Sequence, residues 1–178
     1  MLSLHFVKPL LNRFSPIVGE RFRNTYLTEH KSNAKHRNRM KNPVVRNILV
    51  VVAALLIGGS LNMLLINLSP HIIPPPPGAD LRTEAGLKAA MAIMEPKHFL
   101  MPWLAHALGT LLAAFIAAKF VDKKPLIFAL AIGAWFMLGG IAMIMMLPSP
   151  LWFSLCDALL AYIPMGYLGW KLSGRPAR

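Results

Sequence analysis

Four apolar runs, Ile48–Leu68, Phe99–Ala118, Leu126–Leu147 and Leu151–Trp170, take up most of the chain beyond residue 47. Each has about the 20 residues that a helix rising ~1.5 Å per residue needs to cross ~30 Å of hydrocarbon. Hydrocarbon offers no water to backbone N–H and C=O groups, so a run of this length must satisfy them internally, as a helix. The fold class expected is all-α: a four-helix transmembrane bundle, with spans at about 48–68, 99–118, 126–147 and 151–170. Only 15% of the residues are charged, too few for the surface of a soluble domain of this size.

The net charge of +12 invites a nucleic-acid reading, but its distribution points elsewhere. Sixteen of the 19 Lys and Arg residues lie before the first run, between the second and third, or after the fourth. Only Arg82, Lys88 and Lys97 fall between the first and second. This asymmetry follows the positive-inside rule and predicts that both termini are cytoplasmic. The expected partner is the lipid bilayer, whose anionic headgroups the basic residues meet, with a homo-oligomer or other membrane subunits as further partners and no nucleic acid.

Residues 1–40 are polar, basic and without helical period. They read as a disordered tail, as a transit-type segment, or as translated sequence ahead of a true start at Met40. The four-span membrane domain then covers residues 41–178. Cys156 is the single cysteine, so no intramolecular disulfide can form, and it reads as a small packing residue in the fourth span.

The first external loop opens on Pro74-Pro75-Pro76-Pro77-Gly78, which cannot be helical. After it, Leu87, Ala90, Met91 and Met94 keep the spacing of one helical face. A short interfacial helix from about Leu81 to Met94 is expected, capped by Asp80 and carrying a Glu84–Lys88 pair. Glu95-Pro96-Lys97-His98 has the Glu-x-x-His spacing of some metal sites, but Pro96 in a first helical turn makes Glu95 a cap. Pro164 lies inside the fourth span and predicts a kink.

Lipid provides no hydrophobic drive between helices, so close approach depends on small residues. Ala105, Gly109, Ala113 and Ala117 form such a stripe on the second span. Gly58 on the first, Gly133 and Gly140 on the third, and Ala161 on the fourth are the other packing positions. Polar groups inside the runs are costly and are candidates for function. From the middle of each span, Asn62, His106 and Asp157 lie ~6, ~4 and ~5 Å toward the proline-rich end. Thr110 and Ser154 sit one turn from His106 and Asp157. These five residues form a candidate intramembrane polar layer, which could hold the bundle together or share a proton.

No catalytic residues, metal site or cofactor are expected. The methionines Met143, Met145 and Met146 could bind copper through soft thioethers, yet methionine in a membrane helix is ordinary. The expected function is that of a non-enzymatic structural or accessory membrane subunit. The alternative is a small proton-coupled transporter or channel component using Asp157 and His106.

From about Met40 onward the chain resembles small four-span bacterial integral membrane proteins. The resemblance rests on Pro74-Pro75-Pro76-Pro77-Gly78, Glu95-Pro96-Lys97-His98-Phe99, Ala105-His106-Ala107-Leu108-Gly109-Thr110, Leu147-Pro148-Ser149-Pro150-Leu151-Trp152-Phe153 and Ala161-Tyr162-Ile163-Pro164-Met165-Gly166. It implies a bacterial cytoplasmic membrane location and the four-span topology, without a particular activity. The first span lacks the embedded glutamate of small multidrug exporters.

Overall fold

A computed structural model describes Thr25 and residues 42–177. The chain divides into two compact units, residues 1–45 and 46–178, and the second contains the bundle. Apart from Thr25, the basic stretch 1–40 and the start expected at Met40 lie outside the described residues. The described helices are α1 (Pro43–Ile72), α2 (Glu84–Met91), a 3-10 turn (Pro96–Phe99), α3 (Leu100–Phe120), α4 (Pro125–Met146), α5 (Leu151–Leu160) and α6 (Ile163–Leu172). Four segments are long and apolar enough to cross a membrane: Pro43–Ile72, Pro96–Phe120, Pro125–Met146 and Leu151–Leu172. The chain is a multi-pass membrane protein of all-α class, and among the described residues there is no strand.

The spans start where their sequence allows it. Pro43 and Pro125 open α1 and α4, where a missing N–H leaves no bond unmade. Asn42 Oδ1 accepts from the Val44 N–H at 3.0 Å, an Asx cap that begins α1 ahead of the apolar run. The helix runs on through Pro70 to Ile72, longer than the span read from hydropathy.

The short helix between the first two spans is shorter than expected, and its cap is a different residue. Thr83, not Asp80, is the N-cap: its hydroxyl accepts from the Gly86 N–H at 3.0 Å. Asp80 supports that cap from one step back, accepting from the Thr83 hydroxyl at 2.7 Å and the Arg82 N–H at 2.8 Å. These two bonds, the Thr83 hydroxyl first, hold the Asp80 carboxyl below the usual aspartate range. Lys88 Nζ and Glu84 pair at 2.6 Å, as the i, i+4 spacing requires.

Small residues set the helix contacts, with α3 at the centre. On Gly58 of α1, a Cβ would come within 2.5 Å of the Gly109 carbonyl oxygen and 2.6 Å of the Ala113 Cβ on α3. On Gly169 of α6, it would meet the α3 backbone at Leu111 and Phe115, both at 2.8 Å. On Gly166 it would reach the Ala129 carbonyl of α4 at 3.0 Å. Gly166 and Gly169 thus seat α6 against α4 and α3, a role the small-residue stripes did not assign to them. Ala105, Ala113 and Ala117 are fully buried along the α3 stripe.

The basic end of the bundle is tied by polar groups. The Arg175 guanidinium donates to the carbonyls of Val121 and, at 2.9 Å, Asp122. It thereby serves oxygens that the end of α3 leaves without helical partners. Asp122 pairs with Arg46 of α1, and its N–H donates to Asn47 Oδ1 at 3.0 Å. The ends of α1, α3 and α6 are joined by this group.

The fourth span departs most from expectation. It is two helices, not one kinked helix, because α5 stops at Leu160 and α6 starts at Ile163. Pro164 cannot donate to the Leu160 carbonyl, so the i to i−4 ladder fails there. The chain turns through Ala161 and Tyr162, whose side chains are both buried. Cys156, read as a packing residue, instead lies exposed on the outer side of α5.

Candidate intramembrane site

Asp157 ends the buried face of α5, and its side chain is only 2% exposed. Its carboxylate contacts His106 Nδ1 of α3 at 2.9 and 3.0 Å, one distance to each oxygen. The Tyr162 hydroxyl donates to Asp157 Oδ2 at 2.6 Å and lies 3.1 Å from the same His106 Nδ1. The His106 and Tyr162 rings stack with centroids 5.8 Å apart. A carboxylate, an imidazole and a phenol thus form one closed hydrogen-bonded group.

Two glycines of α4 make room for it. A Cβ on Gly140 would collide with the hydroxyl of Tyr162 and come within 2.6 Å of its ring carbon Cζ. A Cβ on Gly133 would come within 2.9 Å of the Tyr162 carbonyl oxygen. The pair Gly133 and Gly140, seven residues apart, is therefore a cradle for one tyrosine. Ala107 and Ala161 pack beside that tyrosine.

The hydrogen positions follow from the partners. An ionised carboxylate only accepts, so His106 carries a hydrogen on Nδ1, and in the neutral ring Nε2 then holds a lone pair. Nε2 has no hydrogen-bond partner among the described residues, and the His106 side chain is 20% exposed. His106 and Asp157 line a cavity of about 340 Å³ that reaches toward the proline-rich end. Its walls are mostly apolar and include Leu87 and Met91 of α2, Phe99, Met143 of α4 and Phe153 of α5. The apolar face expected of the loop helix thus lines this cavity through Leu87, Met91 and Met94.

The polar layer is narrower than the depth reckoning drew it. His106 and Asp157 come together, but Asn62, Thr110 and Ser154 do not join them. Asn62 lies against Gly109, where its Cβ blocks the space a Gly109 side chain would fill at 3.0 Å, and it has no bond to the pair. Thr110 is buried with its hydroxyl unpartnered among the described residues. The Ser154 hydroxyl bonds Ser149 at 2.8 Å and the Pro150 carbonyl at 3.3 Å, closing the first turn of α5. Equal depth does not give equal azimuth, and none of these three residues bonds the pair. Tyr162 takes the place assigned to them.

Glu95 and His98 are occupied in structure. Glu95 is the N-cap of the 3-10 turn, and its N–H donates to His98 Nδ1 at 2.9 Å. His98 Nε2 then carries the hydrogen and donates to the Pro74 carbonyl at 3.1 Å, anchoring the proline segment. Lys97 lies 3.0 Å from Glu95 and holds its carboxyl below the usual range. Among the described residues no three His, Cys, Asp or Glu side chains are grouped as metal ligands. Met143 lines the cavity while Met145 and Met146 are exposed outward.

Comparison with known proteins adds no analogue. No family model, curated protein or solved structure matches the chain. What the site can do is therefore read from its own chemistry. Asp157 fixes the tautomer and orientation of His106 from one side, and Tyr162 fixes Asp157. His106 itself lines a space that a small molecule can occupy. The group can take up a proton on Nε2 and share the resulting charge with a carboxylate already in place.

Proposed function

We propose that the chain is a non-enzymatic protein of a bacterial cytoplasmic membrane, acting as a small proton-coupled transporter or channel component. Its proton-carrying group is His106, held by Asp157 and Tyr162. The observation that carries this reading is that His106, bonded through Nδ1 to Asp157, also lines the cavity, with no hydrogen bond to its Nε2 among the described residues. A purely structural hydrogen bond between helices has no need of an open nitrogen, a cavity beside it, or a third group orienting the carboxylate.

The basic residues support the orientation. Arg46, Lys119, Lys123, Lys124, Lys171 and Arg175 all flank the same end of the spans, which makes that end cytoplasmic and the cavity outward-facing. Reporter fusions placed after Lys124 and after Asp80 are expected to read cytoplasmic and external, respectively. The reversed pair of readings is incompatible with the assignment.

Proton exchange is tested in vesicles holding the full chain and a trapped pH-sensitive dye. An imposed pH gradient is expected to collapse faster than in empty vesicles, and His106→Phe is expected to return the rate to the empty-vesicle value. Equal rates for the wild-type chain and empty vesicles overturn the reading.

One observation favours a second reading, that of an accessory subunit. Of the 30 residues of α1, only Ala54 and Gly58 are buried, and Leu56 and Met63 are 67% and 61% exposed. This leaves an apolar face for lipid or another membrane helix. Under that reading, Asp157→Asn and His106→Ala alter assembly size and leave proton flux at its wild-type rate.

A further inference from the structure

We infer that the cavity above His106 binds a small, neutral, mostly apolar molecule carrying one hydrogen-bond donor, such as the O–H of a phenol or alcohol. This inference rests on the proton-exchange reading for its purpose, but its geometry stands apart from it.

The size and lining of the cavity set the body of the ligand. A volume of about 340 Å³ lies within the range of small-molecule sites, and suits on the order of ten to fifteen non-hydrogen atoms. No Lys or Arg lines it, and its one carboxylate, Asp157, is already bonded to His106 and Tyr162. An anion finds no fixed counter-charge there, and a cation finds only a carboxylate whose oxygens are taken. Met91, Met94 and Met143 share the lining with Phe99 and Phe153. Thioethers are flexible and make favourable contacts with aromatic rings, so this wall accepts a ring without demanding one shape. Phe99 is itself fixed, packed on Phe153 with centroids 4.8 Å apart and on Trp152 at 5.6 Å.

The head of the ligand is set by the tautomer. Most polar side chains near the cavity are occupied within the protein: His98 by Glu95 and Pro74, and Ser149 by Ser154. His106 also lines the cavity, and its Nε2 has no hydrogen bond among the described residues. Asp157 accepts from Nδ1–H, so in the neutral imidazole Nε2 presents a lone pair and accepts. A ligand with an O–H or N–H fits this atom. A ketone or ether of the same shape leaves it unpaired. When the imidazole takes up a proton, the preference inverts, which couples release of a donor head to proton uptake.

The test uses para-butylphenol and its methyl ether, matched in ring and chain, with the full-length chain in lipid nanodiscs. Binding is measured after subtracting partition into empty nanodiscs. The phenol is expected to bind about tenfold more tightly than the ether, the effect of one buried hydrogen bond. Nitrogen NMR of histidine-labelled protein is expected to show the Nε2 resonance shifting with phenol and staying still with the ether. Asp157→Asn, whose amide can donate to Nδ1, moves the hydrogen to Nε2 and is expected to abolish or reverse the preference. Equal affinity of the wild-type chain for phenol and ether overturns donor selection, and so does failure of both to bind. Neither result needs a variant to fold. Phenol selection without gradient collapse keeps this site and removes the proton-coupled reading; gradient collapse without phenol selection does the opposite.

Discussion

His106→Leu is expected to destabilise the bundle by ~3–5 kcal/mol, the cost of leaving a buried charge without its partner. Asp157→Leu is expected to cost less, about 1–3 kcal/mol. The order follows from what each change leaves behind. Without His106, the carboxylate remains 2% exposed with Tyr162 as its one side-chain donor. Without Asp157, the two groups left are an imidazole and a phenol already 3.1 Å apart, which can bond each other after the imidazole changes tautomer. The double variant is expected to be more stable than His106→Leu alone, since it removes the stranded charge.

Inter-helix hydrogen bonds in membranes average below ~1 kcal/mol, because the separated helices also find partners. The carboxylate is the reason for expecting more here: it is a charge, and few groups in lipid can replace its donors. Unfolding in mixed micelles measures all three variants. If Asp157→Leu proves the more damaging of the two, the buried group is not organised around an ionised aspartate.

Gly140→Ala is expected to be nearly as harmful, although it adds one methyl group. The new Cβ would lie 2.6 Å from Tyr162 Cζ and closer still to its hydroxyl. Tyr162 is 2% exposed and is held by the 2.6 Å bond to Asp157, so moving its ring aside strains or breaks that bond. Alanine gains up to ~1 kcal/mol of helix propensity over glycine. Overpacking costs ~1–3 kcal/mol, and loss of a hydrogen bond to a charged group costs ~1.5–3 kcal/mol. The collision wins, with a net loss of roughly 2–4 kcal/mol and loss of proton exchange.

Gly139 next to it is an internal control. A Cβ there meets nothing within 4 Å, so Gly139→Ala is expected to be neutral or slightly stabilising. The two alanine variants can be compared by thermal unfolding in the same detergent. Equal stability would falsify the cradle assigned to Gly140.

The spans were legible because hydropathy and length are local properties. A 20-residue apolar run has the same helical solution whatever its neighbours do, and the structure has four such segments close to where the runs lie. Helix ends were less legible, since they depend on single hydrogen bonds. Thr83 caps α2 because Asp80 turns back to hold it, an arrangement among three residues that composition does not report. The packing glycines were legible in part. Gly58, Gly109, Gly133 and Gly140 stand out by spacing, but which helix each one meets is not written in its own segment.

The polar site divides in the same way. By itself, the sequence determined that His106 and Asp157 lie at similar depth in different spans, because depth is counted along one axis. Only the tertiary structure decided their partners, because that depends on rotation about the axis. Tyr162 is the clearest case. It follows Asp157 by five residues, which on an unbroken helix puts it about 140° round the cylinder, facing away. The break at Ala161–Tyr162, forced where Pro164 cannot continue the ladder, swings the phenol back onto the carboxylate. Asn62 is the converse: right in depth, but turned against Gly109 and out of reach of His106.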